Sequence, residues 1–307
     1  MTRVAAVDCG TNSIRLLISE IQEDGKIRDI SRTMEIVRLG QGVDATGEFD
    51  PAALARTRAA LEEYVKQMKF EKVERVRMVA TSATRDAKNH REFFDMTAEL
   101  LGQVQPGARA EVISGEEEAL LSFTGAVADL SSEKGPYCVI DLGGGSTEFV
   151  VGTIEGEILG SHSAQMGCVR LTERMMRSDP PTEAEVEIAT DYVAERMADV
   201  EKIVPIDKAV TFVGCAGTFT TLSALAQGME RYDADSIHGS ELRFDALRVL
   251  TRQMIGLASD VRALNPVIHP GRADVIGGGC VAVEGIMTMI ERNSCLLYTS
   301  DAADEGL

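Results

Sequence analysis

The sequence predicts an α/β protein made of two lobes on one duplicated plan. Three observations predict it. The chain has 307 residues, past the roughly 250–300 at which a single core stops growing. Strand-like and helix-like segments alternate along it. The same short pattern, Asp8-x-Gly10-x-x-Ser13 and Asp141-x-Gly143-x-x-Ser146, recurs at one offset at the head of each half, each time between two apolar runs.

The elements follow in order. Residues 3–8 and 14–21 read as strands around a tight Cys9–Ser13 loop. A helix opens at Asp50-Pro51, a capping residue followed by proline in the first turn, and Leu54, Leu61, Val65 and Met68 share its apolar face. Residues 73–80 form a strand, 89–101 a helix, and 109–114 a strand that runs into a helix near Gly115. The polar, turn-rich stretch 131–136 marks the boundary between a first lobe, 1–130, and a second, 136–293. The pattern then restarts with strands 137–142 and 147–154 around Gly143-Gly144-Gly145-Ser146. Thr182 with Glu185 forms a capping box at the start of a helix reaching about Val204. Strand 208–213 leads to a Gly214–Thr218 turn and further helices.

Composition narrows the function. A net charge of −18 argues against broad nucleic-acid binding, which rests on clustered Lys and Arg. A polyanion would have to be met locally, by backbone N–H groups, a few arginines and a divalent cation. No apolar run reaches the roughly 18 residues of a membrane helix. No secretory leader is evident at the amino terminus. The six cysteines show no Cys-x-x-Cys spacing and sit among apolar or glycine neighbours, which suits buried, reduced thiols in a cytoplasmic protein.

Loops rich in Gly, Ser and Thr between strands expose successive N–H groups and let phosphate approach the backbone. An aspartate in each loop would repel that phosphate unless a divalent cation intervened. Asp141 with Glu148 on the next strand therefore reads as a Mg²⁺ pair, although Glu148 alone could equally be an ordinary strand carboxylate. Glu116, Glu117 and Glu118 open a helix, where acids commonly complement the dipole; phosphoanhydride hydrolysis nevertheless needs one carboxylate to orient and deprotonate water. Arg85, at the end of Ala80-Thr81-Ser82-Ala83-Thr84, can make charge-assisted bonds to phosphate or pair with Asp86. Gly214 and Gly217 read as packing glycines, with Thr218 left open.

These segments, together with Met166-Gly167-Cys168-Val169-Arg170-Leu171 and Gly217-Thr218, resemble the exopolyphosphatase and guanosine pentaphosphate phosphohydrolase (Ppx/GppA) family from about residue 3 to about 292. The resemblance implies a duplicated actin-like fold, related to the ribonuclease H-like, sugar kinase and chaperone ATPase superfamily, with substrate in an interlobe cleft. It implies Glu118 as the catalytic carboxylate and Asp141 and Glu148 as the metal-binding acids. It also implies a phosphate-binding set of Gly10, Thr11, Asn12, Ser13, Arg85, Gly143, Gly144, Gly145, Ser146 and Thr147. Cys168 falls on a cleft position of the family, though packing is its ordinary role. The expected partners are Mg²⁺ and inorganic polyphosphate or a guanosine polyphosphate, with no nucleic acid or membrane, and a homodimer as an admissible assembly.

Larger family members append helical domains that bind long polymers, so short polyphosphate is the expected substrate here. Residues 294–307 do not resemble the family's closing strand and helix, and are expected to be an atypical, truncated or artefactual tail that leaves the last element poorly packed. An actin-like ATPase or sugar kinase shares both hairpin loops but would form ADP. A non-catalytic polyphosphate or alarmone binder would bind without turnover.

Overall fold

The computed structural model describes residues 2–128, 130, 132–292 and 296–300, and the statements below concern those residues. They form two mixed sheets. The first holds β1 (Thr2–Cys9), β2 (Ser13–Ile21), β3 (Ile27–Ile36), β4 (Arg75–Ala80) and β5 (Ala110–Val112), in the order β3-β2-β1-β4-β5. The second holds β6 (Tyr137–Leu142), β7 (Thr147–Gly152), β8 (Ile158–Ala164), β9 (Thr211–Cys215), β10 (Glu241–Leu242) and β11 (Leu296–Ser300), in the order β10-β11-β9-β6-β7-β8.

The duplication is visible in the pairing. β1 runs antiparallel to β2 and parallel to β4, and β4 runs parallel to β5. β6 runs antiparallel to β7 and parallel to β9, and β9 runs parallel to β11. Only β10 has no counterpart in the first sheet. This is the duplicated α/β plan expected from the sequence. The third strand of each hairpin, β3 and β8, was not foreseen. Both are sheet edges, half-exposed along most of their length, so they carry polar residues and show no clean apolar alternation.

The chain divides most compactly between Ser114 and Gly115, whereas the sequence reading puts the boundary at 131–136. Packing supplies the reason. Ala119, Phe123, Ala126 and Val127 of helix Gly115–Val127 bury themselves against Tyr137, Val139, Val150 and Val213 of the second sheet. The other face of those strands, with Cys138, Ile140, Leu142, Phe149 and Val151, joins a larger cluster including Phe212, Phe219 and Ile286. Burial on both faces explains why β6 and β7 read as almost unbroken apolar runs. In the first unit, Val7, Ile14, Leu16 and Ile18 pack against Leu61, Tyr64 and Met68 of helix Pro51–Phe70.

That helix starts as predicted, with Asp50 accepting from the Ala52 N–H at 2.7 Å. Thr182 and Glu185 form the complete capping box of helix Glu183–Ile203. The strand expected at 208–213 is shorter and later, Thr211–Cys215, and runs directly into helix Ala216–Ala226. Residues 296–300 belong to the expected tail. They form β11, between β9 and β10, at the position β5 holds in the first sheet. Residues 294–295 and 301–307 lie outside the described residues.

Candidate functional site

The second unit supplies a glycine loop whose polarity is sorted by its neighbours. Gly143 N–H donates to Ser146 O at 3.1 Å, closing the turn between β6 and β7. The first N–H groups of helix Cys168–Met175 then cover the loop carbonyls: Cys168 N to Gly143 O at 3.0 Å, and Val169 N and Arg170 N to Gly144 O at 2.9 and 3.1 Å. Arg170 Nε donates to Gly145 O at 2.7 Å. With these carbonyls satisfied from the protein side, an anion approaching the loop is met by N–H ends. Such docking requires Gly167, since a Cβ there would collide with the Gly144 carbonyl and lie 2.5 Å from Gly145 N.

Three carboxylates converge beside this loop. Asp141 and Glu148 stand directly opposite each other on β6 and β7. Ser122, one helical turn after Glu118, donates to Asp141 Oδ2 at 2.5 Å. Ser163, opposite Glu148 on β8, donates to Glu148 Oε1 at 2.7 Å. Glu148 is 1% exposed. Burial, and then the charges of Glu118 and Asp141, push its carboxyl well above the ordinary carboxylate range, while hydroxyl bonds from Ser163 and Ser146 pull the other way. Of the three acids opening the helix, Glu116 is exposed and Glu118 half-buried, and it is Glu118 whose charge reaches Glu148.

Acids this close need a proton or a cation. An all-oxygen donor set suits a hard divalent ion, and Mg²⁺ ordinarily takes one or two carboxylates, with waters and phosphate oxygens completing its shell. Among the described residues no three His, Cys, Asp or Glu form a ready-made metal cage. Asp141 and Glu148 therefore fit Mg²⁺ as a pair completed by water and substrate oxygens.

The first unit repeats the loop device with other residues. Gly10 N–H donates to Ser13 O at 2.9 Å; Val37 N and Arg38 N cover Asn12 O at 3.1 and 2.9 Å; Gly40 N covers Thr11 O at 2.8 Å. In both units the segment that follows the third strand satisfies the loop carbonyls. Arg15 stands opposite Asp8, where the second unit has Glu148 opposite Asp141, so the duplicated hairpin carries an acid pair in one copy only. Arg85 donates to Ile113 O at 2.9 Å. Thr11 Oγ1 and Thr84 Oγ1 are buried with no hydrogen-bond partner, an arrangement that suits a ligand oxygen.

Thr147 is the last residue of the loop expected to bind phosphate. It is fully buried, and its hydroxyl donates to Met166 O, so it fastens the loop to the segment before Gly167. The packing reading of Gly214 and Gly217 fits: a Cβ on the first would meet the Phe219 ring, and on the second the Arg272 guanidinium. Cys168 is buried, and burial pushes its thiol up to about 11, which suits a packing role. Cys9, Cys138, Cys215 and Cys280 are likewise buried, and Cys295 lies outside the described residues. Sequence reasoning missed Ser122, Ser163 and Arg170 as parts of the site. The spacing of Ser122 four residues after Glu118 was the one available signal.

Against known proteins, the profile of the Ppx/GppA phosphatase family matches residues 17–307. Exopolyphosphatase 2 of Mycobacterium tuberculosis is 55% identical over 287 residues, covering 92% of this chain and 89% of that protein. The guanosine-5'-triphosphate,3'-diphosphate pyrophosphatase of Vibrio cholerae is 32% identical over 235 residues, covering 74% of this chain but 44% of that protein. A crystal structure of an exopolyphosphatase-like protein superposes with a TM-score of 0.92 at 36% identity, covering 99% of this chain and 97% of that one. By sequence profile, relative and fold alike, the chain belongs to the Ppx/GppA phosphatase family.

Proposed function

We propose that this protein is an exopolyphosphatase, a Mg²⁺-dependent phosphoanhydride hydrolase that removes the terminal phosphate of short inorganic polyphosphate. The observation that carries the reading is the meeting of Glu118, Asp141 and Glu148 beside a glycine loop whose carbonyls are covered. The 55% identity to a protein named exopolyphosphatase 2 supports it.

In this reading Glu118 orients a water molecule and takes its proton as the water oxygen attacks the terminal phosphorus. The bridging oxygen leaves with the shortened chain, a good leaving group that needs no strong general acid. N–H groups of Gly143–Ser146 bind the charge that develops on the phosphoryl oxygens. Gly10, Thr11, Asn12, Ser13 and Arg85 are assigned to substrate phosphates, Thr11 through its buried hydroxyl. Asp141 and Glu148 would hold Mg²⁺, which when bound offsets phosphate charge. We place the protein in the cytosol, a setting in which buried free thiols stay reduced; among the described residues no helix is long and apolar enough to cross a membrane. The assembly hypothesis is a homodimer, and a monomeric mass in sedimentation equilibrium would end it.

The test is phosphate release from short polyphosphate, guanosine pentaphosphate and ATP. Wild type with Mg²⁺ is expected to act on polyphosphate, chelation to abolish release, and Glu118→Ala to lower kcat by about 10²–10⁴-fold. Activity confined to guanosine pentaphosphate would move the function to alarmone hydrolysis, the reading favoured by the name of the Vibrio cholerae relative. ADP formation without free phosphate would indicate a kinase, and tight binding without turnover a binding protein.

A further inference from the structure

We infer that Ser122 is a positioning residue for the metal carboxylate Asp141, tying the helix that carries Glu118 to the strand that carries Asp141. The inference rests on the proposed assignment of Asp141 to the cation.

The geometry is specific. Ser122 is 7% exposed on helix Gly115–Val127, one turn beyond Glu118 and on the same face. A serine hydroxyl has one proton, and here it goes to Asp141 Oδ2 at 2.5 Å. A serine in mid-helix ordinarily returns that proton to the carbonyl four residues back, as Thr124 does to Leu120 O at 2.8 Å in the same helix. Ser122 instead gives it to a side chain on β6. The plane of the carboxylate is thereby fixed by a donor on a rigid element, the arrangement by which an outer group orients a metal ligand.

The same helix is registered at its other end. A Cβ at Gly115 would lie 2.7 Å from Ser163 Cβ and 2.9 Å from its Oγ, and Ser163 donates to Glu148. One helix therefore sets Asp141 through a bond and abuts the residue that sets Glu148. Any shift of Glu118 relative to the two metal acids must strain these contacts, so Ser122 maintains the spacing between the base and the cation site.

The test is Mn²⁺ binding to the full chain, followed by electron paramagnetic resonance with Mn²⁺ alone and with inorganic phosphate, alongside thermal unfolding. Ser122→Ala and Ser122→Val are expected to weaken Mn²⁺ binding by about tenfold or more. Ser122→Thr keeps the hydroxyl, matches valine in size and branching, and is expected to restore binding. A valine variant that unfolds at the threonine variant's temperature yet binds Mn²⁺ more weakly identifies the hydroxyl, not packing, as the cause. Equal affinity in wild type, Ala, Val and Thr variants overturns the inference, as does a wild type that binds no Mn²⁺ under either condition. Ser122-dependent Mn²⁺ binding in a protein that releases no phosphate would leave the inference standing while ending the exopolyphosphatase reading.

Discussion

Gly167 is the position at which one added methyl does most to the glycine loop. Its Cβ would fall against the backbone of Gly144 and Gly145, and backbone cannot swing aside as a flexible side chain can. Gly167→Ala is therefore expected to displace the loop or the helix start that covers its carbonyls. The expected loss is about 1–3 kcal/mol of stability, with a larger fractional loss in kcat/KM for polyphosphate; urea denaturation and phosphate release measure the two. A variant with wild-type turnover would show that loop placement does not matter to the reaction. The run Gly143-Gly144-Gly145 was legible in the sequence because three successive glycines have few other uses. The need for Gly167 was not legible, because it arises from a loop and a helix start more than twenty residues apart.

At the scale of elements, the helix Glu183–Ile203 offers a pH test. Glu185 accepts from Thr182 N at 2.8 Å and from the Arg177 and Ser178 N–H groups at 3.1 Å. These bonds, that from Thr182 first, hold its carboxyl down at about 2. A carboxyl lower in the folded chain than in the unfolded one stabilises above its unfolded value and loses that contribution as pH falls towards the folded one. Glu185→Gln is expected to be less stable than wild type at neutral pH, with the gap closing as pH drops from about 4 towards 2. Denaturant midpoints across that range measure it, and a pH-independent gap would remove the charge from the account. The box itself was legible from Thr182-x-x-Glu185. The bonds to residues 177 and 178 were not, because they depend on how the preceding loop folds back.

For the whole molecule, the strand formed by residues 296–300 decides whether the second sheet is continuous. β11 lies between β9 and β10, and Thr299 is buried with its hydroxyl donating to Ile237 O at 2.7 Å. Truncation after Arg292 would strip one side of β9 of its backbone partners, which buried strands do not tolerate. The truncated chain is expected to unfold at lower temperature and to bind a dye for exposed apolar surface. An unchanged midpoint would show that β11 contributes little.

The sequence by itself determined the α/β class, the duplication, both hairpin loops and the helix caps, because each is written in local pattern: period, turn chemistry or repeat. Tertiary structure alone decided three further things. The helix Gly115–Val127 belongs with the second sheet, because the face it buries is matched by Tyr137, Val139, Val150 and Val213. Glu118, and not its exposed neighbour Glu116, faces the acid pair, because that same burial fixes the rotation of the helix. Ser122 and Ser163 reach Asp141 and Glu148 because sheet pairing and helix packing bring together residues whose separation along the chain gives no sign of contact.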